Sequence, residues 1–212
     1  MAKLTYGPIV SDARGSTAGV TFSRWKQSSY GRRKTRPTNP NTVAQQGVRN
    51  VFQTLSNVWR MMQTNYRACW DFQASGRNYS GRNHFLGLNV PRLQGDANLA
   101  DLLMSPGMAG TNAPNSLTLT PGVGVLTVAC TSTTPPVGFT AVAALLGIIP
   151  DADPDPAAFP IMQESRDVSV PYSFQFTALP AGNYRGFACI EYTAPDGSTR
   201  YGPSVSALAT VT

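Results

Sequence analysis

The sequence predicts an α+β protein: a basic β-hairpin and short helices first, then an Ig-like antiparallel β-sandwich. Two observations carry that expectation. Between residues 43 and 62 apolar side chains recur at three- and four-residue steps, the period of an amphipathic helix. From Ser116 onward the period falls to two, in short segments separated by Gly, Pro and Asp. Charge divides the chain in a similar place. Residues 1–100 hold fourteen Lys/Arg against three Asp, a net of +11, whereas residues 101–212 hold three Arg against eight carboxylates, a net of −5. Three regions are therefore expected: a basic hairpin and helical docking region over 1–90, a linker over 91–115, and the sandwich over 116–212.

The hairpin is read from "GVTFSRW", where Val20, Phe22 and Arg24 alternate with Thr21, Ser23 and Trp25. "KQSS" supplies a turn, and "YGRRKTR" returns with Tyr30, Arg32 and Lys34 on one face. Pro40 ends the extended segment, and Thr42 with Gln45 forms a capping-box pattern. Val48, Val51, Phe52, Leu55, Val58, Trp59 and Met62 then mark the first helix. A second short helix is expected after Thr64, carrying Tyr66 and Trp70. Ser80 caps a third, which carries Phe85 and Leu86 and is expected to stop before Pro91. "SPGMAGTNAPNS" has the composition of a linker.

Seven strands are expected beyond it: "SLTLTP", "VLTVACT", "FTAVAALLGI", "FPIMQE", "YSFQFTAL", "YRGFACIEY" and "SVSALATVT". Seven short strands in this length form the pattern of an Ig-like sandwich. Leu126, Val128 and Cys130 share the face expected to point inward. Tyr184 should also point inward and has the opposite parity to Cys189. The thiols of Cys130 and Cys189 are thus expected on different faces, reduced and unbridged.

Composition narrows the function classes. Only 13% of residues are charged, while 42% are apolar, which excludes a disordered solubiliser and suits a surface covered by neighbours. "MAKLTYGPIV" lacks the apolar core of a signal peptide, and "AVAALLGII" is too short to span a bilayer, so a cytoplasmic site of synthesis and no membrane are expected. Catalysis has little to work with. His84 is the single histidine, expected in a surface or capping role, and no nucleophile elbow, P-loop or zincin spacing occurs. "DADPDP" imitates a calcium loop but has Pro156 in place of the required Gly and Met162 in place of the bidentate Glu. An acidic surface loop is the expectation, with no enzyme activity, no cofactor and no metal.

The main functional signal is basic. Arg24, Trp25, Lys26 and Tyr30, then Arg32, Arg33, Lys34 and Arg36, form a run of cations with interleaved aromatics, and no carboxylate occurs between Asp12 and Asp71. Six cations without local countercharge repel one another and call for an acidic partner, protein or nucleic acid.

Two resemblances add to this reading. "LPAGNYRGFACIEYTAPDGSTRYGPS" resembles the last strand pair of a fibronectin type III module, with Leu179, Gly182 and Tyr184 at its tyrosine-corner segment. "VLTVACTSTTPP" resembles that family's second strand, with Cys130 where a Trp is usual. The core "NP-x-T-x-x-Q-x-x-x-R-x-x-F", Asn39 to Phe52, within a longer succession of landmarks, resembles an uncharacterised family of bacteriophage and prophage proteins. That resemblance implies a phage context, within which a sandwich behind a basic N-terminal region is a common layout for a virion component; synthesis in the host cytoplasm and homo-oligomers are expected with it. Its partners would be capsid, connector or tail subunits, with packaged DNA as a further polyanion. The competing class is a nucleic-acid-binding accessory protein using the same basic hairpin, and an adhesin using the sandwich loops is a third.

Overall fold

The fold is α+β, as the periodicities require. The structure, a computed structural model, describes residues 2–3, 14–25, 28–35, 39–94, 99–132, 134–151 and 162–212. It divides into two compact units, Met1–Thr42 and Val43–Thr212. The boundary falls at the start of the first helix rather than near residue 90, because the helices share a core with the sandwich.

In the first unit the expected hairpin belongs to a four-stranded antiparallel sheet. Strands β1 (Ala2–Lys3), β2 (Gly15–Thr17), β3 (Val20–Trp25) and β4 (Ser28–Arg33) take the order β1-β4-β3-β2. Ser28 and Ser29, half of the expected turn "KQSS", belong to β4, opposite Trp25 and Arg24.

The second unit opens with helices α1 (Val43–Met61), α2 (Thr64–Ala74) and α3 (Gly81–Leu93). Ser80 caps α3, its hydroxyl accepting from Asn83 N at 3.3 Å. The helix does not stop before Pro91 but runs through it to Leu93. The backbone bond that proline removes would have gone to Gly87, which is exposed, so water can satisfy the freed carbonyl.

Strands β5 (Ser116–Gly122), β6 (Val125–Thr131) and β9 (Tyr172–Phe176) make a three-stranded sheet, β5-β6-β9. The larger sheet runs β11-β10-β7-β8, with β12 also pairing with β10. Its strands are β7 (Thr140–Pro150), β8 (Gln163–Asp167), β10 (Gly182–Thr193), β11 (Thr199–Tyr201) and β12 (Val205–Val211). Strand β8 lies later than "FPIMQE", and β11 is additional to the seven expected. The Tyr184 hydroxyl donates to the Pro180 carbonyl at 2.9 Å, the local bond of a tyrosine corner.

The larger sheet is covered on both faces. Every residue from Ala143 to Ile149 and from Tyr184 to Ile190 is buried. Ala144, Leu146, Ile148, Ala188 and Ile190 pack with Leu126, Val128 and Cys130 of the smaller sheet. Leu145, Ile149, Phe187 and Cys189 pack with Leu55, Val58, Tyr66, Trp70 and Phe85 of the helices. The opposite orientations expected for Cys130 and Cys189 are therefore found, each in a different layer of core.

Polar contacts fix the register between helices and sheet. The Tyr66 hydroxyl lies 3.0 Å from the Leu145 carbonyl and 3.1 Å from that of Phe187, bridging β7 and β10. Gly147 makes room for its ring: a Cβ there would lie 2.8 Å from Tyr66 Cε2. The Glu164 carboxylate on β8 accepts from Gln63 N at 2.7 Å and Asn65 N at 3.2 Å, at the start of α2. Burial raises its pKa, and those backbone bonds oppose the rise.

Residues 91–115 are not a linker in the structure. Leu99, Leu102, Met104 and Ser105 are buried. Asn89, fully buried, donates to the Leu103 carbonyl at 3.1 Å and accepts from Leu103 N at 2.8 Å. Trp70 Nε1 donates to the Met104 carbonyl at 2.8 Å, and the Ser204 hydroxyl accepts from Met104 N and Ser105 N at 3.0 and 3.1 Å. At the close approaches only glycine fits: a Cβ on Gly107, whose φ is +76°, would lie 2.8 Å from Pro203 N.

Tyr66→Phe removes the bridging hydroxyl and keeps the ring, so a loss of about 1–2 kcal/mol in urea denaturation is expected. Gly147→Val forces the ring off the sheet, and its expected cost is larger, about 2–4 kcal/mol, by overpacking combined with loss of the same bond.

Candidate docking surface

The basic sheet of the first unit is built by simple alternation. Register places Tyr30 opposite Ser23 and Arg32 opposite Thr21, so these residues share one face. Arg33 opposite Val20, and Arg24 opposite Ser29, belong to the other face with Phe22. The expectation that Tyr30 and Arg32 share a face is met, and Lys34 follows the strand, its N–H donating to the Gly19 carbonyl at 2.7 Å. Cations therefore occupy both faces of the hairpin rather than one.

Among the residues of this unit whose exposure is described, none is buried. Arg14, Arg24, Arg32, Arg33 and Lys34 are exposed, and Phe22 and Tyr30 are only half-buried. No carboxylate occurs among them. Phe22, Ser23 and Arg24 line an open hollow of about 460 Å³ with Arg14 and Gly15. Trp25 sits at the hairpin end, paired through its backbone with Ser28. Lys26 and Arg36 lie outside the described residues, as does most of "DADPDP". Its first residue, Asp151, pairs with Arg185 at 2.5 Å.

A second exposed surface lies on α1, in the other unit. Residues 43–50 are all exposed, and the helix first enters the core at Val51. Val43, Val48 and Phe52 remain 85%, 38% and 48% exposed. Val48 and Phe52 belong to the apolar face of the amphipathic helix expected from the sequence. Its apolar stripe extends beyond the body that α1 packs against.

His84 has a role that the sequence did not suggest. Its ring stacks on Tyr79 at 5.2 Å and meets the edge of Trp70 at 5.5 Å, while Nε2 lies 3.0 Å from Gln73 Oε1. Desolvation, then the nearby Arg77 guanidinium, lowers its pKa below 6.5. No cluster of three or more His, Cys, Asp or Glu able to hold a metal occurs among the described residues. No helix among the described residues is long and apolar enough to cross a membrane.

Comparison with protein families finds no matching model, and comparison with curated proteins finds no match. Among solved structures, the chain is similar to the solution structure of the fibronectin type-III domain of human fibronectin type III domain containing protein 3. The identity is 13%, the TM-score 0.34, and the match covers 50% of this chain and 91% of that one. The sandwich assignment rests on the strand order and the two cores described above.

The His84 contribution has a defined sign. A histidine whose folded pKa lies below its unfolded value stabilises the fold fully above the unfolded value, and the contribution falls as pH drops through it. The urea midpoint is therefore expected to decline as pH falls below about 6.5, before the carboxylates titrate, and His84→Gln should flatten that part of the profile.

Proposed function

We propose that this protein is a non-enzymatic structural component of a bacteriophage particle, docking through its basic N-terminal sheet and presenting or packing the sandwich. The observation that carries the reading is the first unit itself. It is a four-stranded sheet with no buried residue among those whose exposure is described, cations on both hairpin faces and no described carboxylate. Isolated small sheets are marginal unless an apolar face is covered, so such a unit gains its stability from a partner. Phe22 and Tyr30 offer that partner apolar area, while the arginines select an acidic surface and steer the encounter. The exposed first turns of α1 add a helical contact, through Val48 and Phe52.

The resemblance of the Asn39–Phe52 core to phage proteins supplies the context, and the low charged fraction agrees with a subunit packed among neighbours. Capsid, connector or tail subunits are the partners in this reading, with further copies of the chain beside them. Head, neck and tail positions all satisfy it.

Quantitative mass spectrometry of purified particles tests the proposal. The protein is expected at a fixed ratio to the major capsid protein, and absence from particles would overturn the structural role. Replacing Arg32, Arg33 and Lys34 together by Ser should leave the urea midpoint of the second unit unchanged and reduce incorporation severalfold. If incorporation holds while salt-sensitive DNA affinity falls, the basic sheet serves nucleic acid instead.

A further inference from the structure

Strand β9 is the outer strand of the smaller sheet, and among the described residues it pairs with β6 alone. Its residues, Tyr172–Phe176, include no charge and no proline. An uncharged edge of that kind is a template for a further strand. The adjoining edge strand of the larger sheet, β8, differs, since it carries Glu164, Arg166 and Asp167. The other uncharged edge strands of this unit, β5 and β12, lie against each other at the far side of the sandwich. Asp167 reaches from β8 to β9. Its carboxylate accepts from Ser173 N at 2.7 Å and from Ser169 N at 3.0 Å. The Ser173 N–H therefore points away from β6, out of the sheet. Backbone groups of an antiparallel strand alternate in direction, so Gln175, two residues on, turns its N–H and C=O the same way. Beside them lies an open hollow of about 320 Å³, lined by Phe174, Gln175, Phe176 and Thr177 with Gln163 and Glu164. Phe174 is 42% exposed, its ring edge-on to Phe176 at 5.0 Å.

We propose that the β9 edge is a strand-addition surface for a second copy of this chain, and that the Asp167 carboxylate holds it closed. The register follows from symmetry. Two β9 strands related by a two-fold axis at Gln175 pair antiparallel, each Gln175 exchanging both backbone bonds with its counterpart. Phe174 then lies opposite Phe176 of the second copy, which covers the exposed ring. The strands themselves carry no charge, so no like charges meet across the pair. The next outward N–H in this ladder is that of Ser173, whose acceptor would be the Thr177 carbonyl of the second copy. Asp167 already takes that donor in a charge-assisted bond, and its carboxylate would face the incoming carbonyl. Two-fold symmetry repeats the obstruction, so one side chain guards the interface from both copies. This inference stands apart from the phage context and does not depend on it.

Sedimentation equilibrium of the full chain over a range of concentrations tests this, with the urea midpoint of each variant recorded beside it. Asp167→Ala releases the Ser173 N–H, and its average mass relative to the native chain is expected to rise with concentration toward about twofold. Adding Gln175→Lys to that variant sets two ammonium groups opposite each other at the axis, so the mass should return to the native value, most completely at low salt. Hydrogen exchange gives a local signature. The Gln175 amide should become protected in concentrated Asp167→Ala and stay fast in the double variant. Asp167→Asn keeps the shape and an acceptor for the Ser169 N–H, replaces the alanine variant should that one fail to fold, and should give a smaller rise in mass. A folded Asp167 variant that keeps the native mass at every concentration would overturn the proposal. So would association that survives Gln175→Lys, or association that leaves the Gln175 amide exchanging as fast as in the native chain.

Discussion

The second unit depends on one constraint: strands β7 and β10 are apolar on both faces and must be covered on both. A sheet with a single sandwich partner would expose Leu145, Ile149, Phe187 and Cys189 to water. Fully burying an aliphatic or aromatic side chain of this kind contributes about 1.5–3 kcal/mol, whereas a net hydrogen bond contributes about 1. Apolar cover therefore outweighs the polar contacts in holding the helices on the sheet. The polar contacts decide where the helices sit. Tyr66 spans two strands, Glu164 receives the free N–H groups at the start of α2, and Asn89 fastens residue 103 to α3.

Much of this was legible in the sequence, and the exceptions have physical causes. The capping-box pattern of Thr42 and Gln45 marked the start of α1 at residue 43, and the period-two segments marked most of the strands. The opposite parity of Tyr184 and Cys189 separated the two cysteines correctly, because a strand's alternation is strict. The helical layer was missed through one misread cue. "AVAALLGII" and "GFACI" do not alternate, and an unbroken apolar run in a strand signals two covered faces. A run of that kind in a sandwich implied a third layer, and the amphipathic helices upstream were its obvious source.

The connector failed for a different reason. Gly, Pro, Asn and Ser make "SPGMAGTNAPNS" look flexible, yet those residue types also permit close backbone approach. Gly107 against Pro203 and Gly202 against Asn112 are approaches of that kind, where a side chain would strike backbone. Composition could not distinguish a loose linker from a tightly seated one. Leu99, Leu102 and Met104 were the distinguishing signal, since three large apolar residues in a solvent-exposed linker would have no place to go. The site residues show the converse limit. Their charge was plain from the sequence, but the register that sends Arg24 and Arg33 to one face and Arg32 to the other required the pairing of β3 with β4.

The two units handle charge in opposite ways, and that contrast bears on the proposed docking. In the second unit Arg166 pairs with Glu191, Arg185 with Asp151 and Arg200 with Asp196. Three of its cations are thus neutralised within the unit. Among the described residues of the first unit there are cations and no carboxylate. Exposed ion pairs contribute little stability, about 0–1 kcal/mol each, so the uneven distribution of charge costs the fold little. It matters for association instead, where an excess of arginines accelerates encounter with an acidic surface and discriminates against basic ones. A sheet with Phe22 and Tyr30 half-covered and a local excess of positive charge has more to gain from contact than from isolation. Stability and docking then become one process: the partner that neutralises the arginines is the partner that covers the aromatics.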